Sequence, residues 1–132
     1  MVIVLDTRFL IAHTFPPTKG DREAILRFLK KHGKESFLIP TIVISEFLGI
    51  AGRRIGKETA KVRIGAWLSS SRVSAFDLDR EIAEMAGELA LDHHVPIADA
   101  IIASVARKVG GVVATDDEHF RKLGVRVTWY KR

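Results

Sequence analysis

Two hydrophobic periods alternate along the chain. Short β-branched and apolar runs at residues 2–5, 36–39, 73–76, 111–114 and 125–130 read as strands. The first (Val2-Ile3-Val4-Leu5) and the fourth, around Val112-Val113-Ala114, are apolar almost without interruption. Strands of a parallel sheet covered on both faces have that composition. Longer segments with helical spacing separate the runs, often two between successive strands. The pattern predicts an α/β fold: a three-layer α/β/α sandwich with a mainly parallel central sheet of about five strands, in one domain over residues 1–132.

The helices are marked by their ends as much as by their stripes. A short one should follow Thr7, carrying Phe9, Leu10 and Ile11. Pro16-Pro17-Thr18-Lys19-Gly20 reads as a loop. Asp21 to His32 reads as a helix with Asp21 as N-cap, Ile25, Phe28 and Leu29 as its apolar stripe and Gly33 as its stop. Thr41 to Arg54 follows Pro40, and Glu58 to Ser70 carries Val62, Trp67 and Leu68. Asp79 to His93 has Asp79 as cap, and Ile97 to Val109 follows Pro96 and halts at Gly110-Gly111. A last short helix covers about Glu118 to Leu123.

Four carboxylates interrupt this patterning. Asp6 closes the first strand, Glu46 sits in an apolar helical run, Asp99 opens another, and Asp117 follows the fourth strand. Each has an ordinary explanation: Asp99 complements a helix dipole, while Asp117 or Asp6 caps the next helix. Glu46 resists one, because Ile42 and Ile50 flank it at i−4 and i+4. In a parallel α/β sheet, sites form where the chain leaves the carboxyl ends of the strands. Asp6 and Asp117 belong there, and the helix starts bearing Glu46 and Asp99 can gather at the same edge. Carboxylates crowded in one cleft repel one another, and a hard divalent cation with a preference for oxygen ligands offsets that repulsion. The chemistry expected is metal-dependent phosphodiester cleavage by activated water, with Mg²⁺ or Mn²⁺. Thr7 and Thr115, beside these acids, can orient the carboxylates or serve only as β-formers.

Charge adds an anionic partner to that picture. Lysine and arginine outnumber the acids 21 to 16, a formal +5. Arg53, Arg54, Lys57, Lys61 and Arg63 crowd one stretch, suited either to tracking phosphates or to a solvated helix face. The chain has no cysteine, which excludes disulfides, thiolate zinc and cysteine nucleophiles and agrees with a cytoplasmic setting. The opening Met-Val-Ile-Val-Leu-Asp has no basic region and too short an apolar run for a signal or a membrane span. His93-His94 reads as a helix end rather than a metal pair, and Trp67 as core. Trp129 and Tyr130, at the end of the last strand, suit either core or interface.

These residues resemble, over nearly the whole chain, a PIN-domain ribonuclease and, within that family, the VapC-type toxins of toxin–antitoxin pairs. The resemblance is carried by Val4-Leu5-Asp6-Thr7, Ile44-Ser45-Glu46-Phe47, Ala98-Asp99-Ala100-Ile101-Ile102-Ala103 and Thr115-Asp116-Asp117-Glu118-His119-Phe120, in order and spacing. It implies an acidic metal site of Asp6, Glu46, Asp99 and Asp117. Asp116, where the family often has asparagine, would assist or cap. It further implies Mg²⁺ or Mn²⁺ dependence, an RNA substrate, a cognate antitoxin and a homodimer. Arg8 departs from the pattern, standing where a small polar residue is usual. An arginine there either contacts a scissile phosphate or pairs with an acid. The competing functions are a housekeeping RNA-processing nuclease and a non-catalytic RNA- or protein-binding module on the same fold. A receiver domain phosphorylated on aspartate fits less well, because strand one ends in a lone acid.

Overall fold

A computed structural model describes residues 1–131 of the chain. Five strands, β1 (Val2–Leu5), β2 (Ser36–Pro40), β3 (Val73–Phe76), β4 (Val112–Ala114) and β5 (Arg126–Thr128), form one sheet in the order β3-β2-β1-β4-β5. Every neighbouring pair is parallel. Consecutive residues of β1, Ile3, Val4 and Leu5, have no exposed surface. Successive strand side chains point to opposite faces, so both faces of the sheet are covered, as the sandwich expectation requires.

The helices are α1 (Thr7–Thr14), α2 (Lys19–Lys31), α3 (Thr41–Ile55), α4 (Lys57–Leu68), α5 (Arg80–His93) and α6 (Ile97–Val109), with a terminal 3₁₀ helix at Glu118–Leu123. None among the described residues is long and apolar enough to cross a membrane. α6 is buried along most of its length and lies against β1, β2 and β4. It ends at Gly110, whose φ of 65° is the left-handed value a β-carbon disfavours. Gly111 then brings the chain beside β1, where a β-carbon would sit 3.0 Å from the Val2 carbonyl oxygen.

Two sequence expectations change. α2 begins at Lys19 rather than Asp21, so the end of the supposed Pro16–Gly20 loop is helical. Its cap is Thr18: the Asp21 amide donates to Thr18 Oγ1 at 3.0 Å, and Thr18 Oγ1 donates back to Asp21 Oδ2 at 2.7 Å. The carboxylate is thereby turned inward, where it accepts from the Tyr130 hydroxyl at 3.1 Å and pairs with Lys131 at 3.1 Å. β5 is correspondingly shorter than residues 125–130. Trp129 and Tyr130 leave the strand to pack their rings 5.8 and 6.4 Å from that of Phe9, in a cluster that includes Phe28 and Trp67. Their burial makes them core. The remaining limits differ by a residue or two; Asp79 caps α5 as expected, its Oδ1 accepting from the Ile82 amide at 2.9 Å.

Candidate metal centre

The strand order reverses direction at β1. From there the chain steps outward to β2 and β3, then crosses back to lay β4 on the other side. The crevice beyond the carboxyl ends of β1 and β4 is therefore the topological switch point, where open α/β sheets hold their ligands. Leu5 pairs with Ala114, and the next residue on each strand is Asp6 and Thr115. Thr115 Oγ1, fully buried, donates to Asp6 Oδ2 at 2.7 Å, and the same oxygen accepts the Asp117 amide at 3.1 Å. One hydroxyl thus ties together the two acids that follow the central strands.

Helix starts bring in the other two. Pro40 and Pro96 end their preceding segments and open α3 and α6, placing Glu46 in the second turn of one and Asp99 in the first turn of the other. Glu46 Oε1 accepts from Thr7 Oγ1 at 2.7 Å, which fixes it against the start of α1. Asp99 feels the charges of Asp117 and Glu46, and Asp6 feels that of Asp99. All four sequence-selected acids are thus assembled at one edge. Asp6 has no capping hydrogen bond to α1, so the helix-cap explanation fails for it. Asp117 does cap the terminal 3₁₀ helix, through Oδ1 and the His119 amide at 3.1 Å.

Burial dominates the electrostatics. The Asp6 side chain, only 3% exposed, has its carboxyl pushed up to about 6 by desolvation, against the hydrogen bond from Thr115 and with a contribution from Asp99. Asp99 is also raised, first by burial and then by Asp117 and Glu46, while His119 works in the opposite direction. Folding has therefore gathered acids that resist ionising together.

His119 was not singled out from the sequence. Its Nδ1 contacts Asp117 Oδ1, and its Nε2 lies 3.2 Å from Asp99 Oδ2. Ligand atoms of Asp99, Asp117 and His119 all fall within 4.8 Å of one another, the only such grouping of three among the described residues. No periodicity marks His119; only the turn at Asp117 folds it back. His93 and His94 are exposed at the end of α5 and take no part.

The PIN-domain family model matches residues 3–125. This chain belongs to that family. Solved structures with the same fold include VapBC2 from Rickettsia felis bound to promoter DNA, at 18% identity and a TM-score of 0.79, covering 98% of each chain. VapC20 of Mycobacterium tuberculosis, a toxin cleaving the sarcin–ricin loop, matches at 22% identity and a TM-score of 0.76, over 93% of this chain and 95% of that one. DNA-bound VapBC from Salmonella typhimurium matches at 20% identity and a TM-score of 0.78, over 98% of both chains. No curated protein matches the sequence.

PIN domains are nucleases, and divalent metal is their general requirement. The donor set of this PIN domain fits such an ion: oxygen ligands of the kind Mg²⁺ and Mn²⁺ take, a buried carboxyl held up by desolvation, and a buried imidazole nitrogen, His119 Nε2, without a hydrogen-bond partner. At its rim, Arg8 forms a two-pronged pair with Asp116, Nε to Oδ1 at 2.6 Å and a terminal nitrogen to Oδ2 at 3.1 Å. Of the two roles open to Arg8, pairing with an acid is thus realised, and with Asp116 rather than a member of the central four.

The basic stretch is divided by the bend at Gly56. Arg53, Lys57 and Lys61 line a groove of about 520 Å³ with Leu48, Gly49 and Gly52. Arg54 turns away, its guanidinium 3.8 Å over the Phe15 ring. Arg63 lines a separate pocket with His13 and Trp67. Trp67 is half-buried against the core.

Proposed function

We propose that the protein is a metal-dependent endoribonuclease and the toxin of a toxin–antitoxin pair. The observation that carries the chemistry is the convergence of Asp6, Glu46, Asp99 and Asp117 on the switch-point crevice, with Asp6 and Asp99 both held above the usual carboxylate range by burial. The toxin role rests on the likeness to VapC structures solved with their partners.

In this reading Asp6, Asp99 and Asp117 bind Mg²⁺ or Mn²⁺, and Glu46 completes the acidic wall. When bound, the cation supplies Lewis acidity toward a phosphoryl oxygen and lowers the pKa of water to make the nucleophile. Thr115 holds one Asp6 oxygen and Thr7 one Glu46 oxygen, which orients both carboxylates. Asp116 holds the Arg8 fork at the mouth of the crevice, where it meets the RNA backbone as a bidentate phosphate partner. Arg53 and Lys57, which line one groove, extend that attraction along the strand without reading sequence, and Arg54 would join them only by leaving the Phe15 ring. A cognate antitoxin and a second copy of the chain are the protein partners, in the cytoplasm.

The test is incubation of a mixed RNA pool with the purified protein in Mn²⁺, in Mg²⁺ and in EDTA, beside Asp6→Asn and Asp99→Asn. Cutting that needs metal and disappears in both folded variants supports the assignment. A wild type that binds RNA equally with and without metal and cuts nothing overturns it in favour of a binding module.

A further inference from the structure

The contacts of His119 say more about the ion than the acids do. Asp117 Oδ1 accepts the backbone amide of His119 and also touches its ring Nδ1. Where the carboxylate is the acceptor in this contact, the hydrogen sits on Nδ1. The ring is further held by stacking on Phe120, with centroids 5.1 Å apart and planes 20° from parallel. Its other nitrogen, Nε2, is buried and makes no hydrogen bond among the described residues. It nevertheless stands 3.2 Å from Asp99 Oδ2. In the neutral ring two lone-pair-bearing atoms then face each other, with Nε2 shielded from water, and that costs free energy. A proton on Nε2 finds no aligned acceptor in Asp99 Oδ2, although a charged ring would still draw that carboxyl down. A cation beside both atoms would satisfy both.

We infer that His119 Nε2 is a nitrogen ligand of the ion held by Asp99, with Asp117 orienting the imidazole from behind. The inference rests on the metal-centre reading above and sharpens it. Carboxylate–histidine–metal chains fix the ring's tautomer and orientation through an outer carboxylate in just this way. A nitrogen donor also changes which ion is preferred. Imidazole suits first-row transition ions, whereas Mg²⁺ favours oxygen and keeps its waters. The site therefore selects Mn²⁺, or a later divalent ion of that row, over Mg²⁺. Asp117 Oδ1 positions the ring, and this outer role replaces the direct bond from Asp117 to the ion assigned above.

The experiment uses the whole chain, Mn²⁺ and Mg²⁺ as probes, and no RNA. Electron spin-echo spectroscopy of bound Mn²⁺ reads directly bonded ¹⁴N, and calorimetry gives both affinities for wild type, His119→Ala and His119→Gln. Expected are a nitrogen modulation present in wild type and absent from both variants, and a loss of Mn²⁺ affinity of about tenfold or more, with a smaller loss for Mg²⁺. Three results overturn the inference alone: Mn²⁺ bound without nitrogen coupling, equal losses for the two ions, or variants that bind both ions more tightly. The last is the sign expected if the ring is merely a cation screening Asp99 and Asp117. If the wild type takes up neither ion, the metal-nuclease reading falls with it.

Discussion

The Thr115 hydroxyl donates 2.7 Å to Asp6 Oδ2 across the seam between the two central strands, 109 residues apart in sequence, and has no exposed surface. It also accepts the Asp117 amide, so a single buried oxygen is both donor and acceptor. Thr115→Val keeps the shape and removes both bonds. It should destabilise the fold by about 1–3 kcal/mol, the usual cost of leaving buried polar partners unmet. Without its donor, the Asp6 carboxyl should also rise further. Urea unfolding checks the first effect, and NMR titration of the Asp6 carboxyl the second. Unchanged values for both would mean that the hydroxyl holds neither acid.

Asp6 is itself a stability liability. A carboxyl raised from 3.8 to about 6 binds its proton more tightly folded than unfolded. Its ionisation therefore works against folding above that window, and the penalty fades as pH falls through about 6 toward 4. At neutral pH it approaches about 3 kcal/mol as an upper figure, at 1.36 kcal/mol per pKa unit. Asp6→Asn, which can still accept from Thr115, should raise the melting temperature of the metal-free protein at pH 7 by several degrees. At pH 4 the gain should nearly vanish, and RNA cleavage should be lost throughout. Melting curves at the two pH values decide this; a variant less stable at pH 7 contradicts it.

The same proton should compete with the metal. In the metal-free protein Asp6 ionises near pH 6, and a protonated carboxyl is a poor ligand. Metal affinity should hold steady at higher pH. Below about 6, the Mn²⁺ concentration for half-maximal cleavage should climb by up to about tenfold per pH unit from this group alone. Metal titrations of activity at pH 7.5, 6 and 5 would show it. An unchanged requirement at pH 5 would remove Asp6 from the metal site.

What the sequence made legible followed from local chemistry. Uninterrupted apolar strands announced a sheet covered on both faces, and Pro40, Pro96 and Gly110 marked the limits of α3 and α6. Glu46 stood out because nothing near it in the helix offered a partner; its partner, Thr7, lies 39 residues away. The failures involve choices that local chemistry leaves open. Thr18 and Asp21 are both good caps, and the contact of Asp21 with Tyr130, 109 residues on, accompanies the outcome. His119 looked like any residue of a short polar helix. Its role depends on Asp99, which a different helix delivers. Strand order was also hidden, since no feature of Val112–Ala114 says that it lies beside β1 rather than beyond β3.

Arg8 and Asp116 allow two roles to be separated by measurement. Both are largely exposed, so their ion pair should contribute only about 0.2–1 kcal/mol to folding, and Arg8→Ala or Asp116→Ala alone should barely move the unfolding midpoint. If the pair exists to present a guanidinium to RNA, the consequences fall on substrate instead. Arg8→Ala should weaken RNA binding and lower the slope of log affinity against log salt by about one. Asp116→Ala leaves the charge but frees the fork, so the Kd for RNA should rise while the salt slope stays near its wild-type value. Arg8→Lys restores charge without the two-pronged geometry and should recover the slope but not the full affinity. Binding isotherms at several salt concentrations with metal-free protein give these numbers independently of catalysis. A salt slope that Arg8→Ala leaves unchanged would confine the pair to tying the end of β1 to the end of β4.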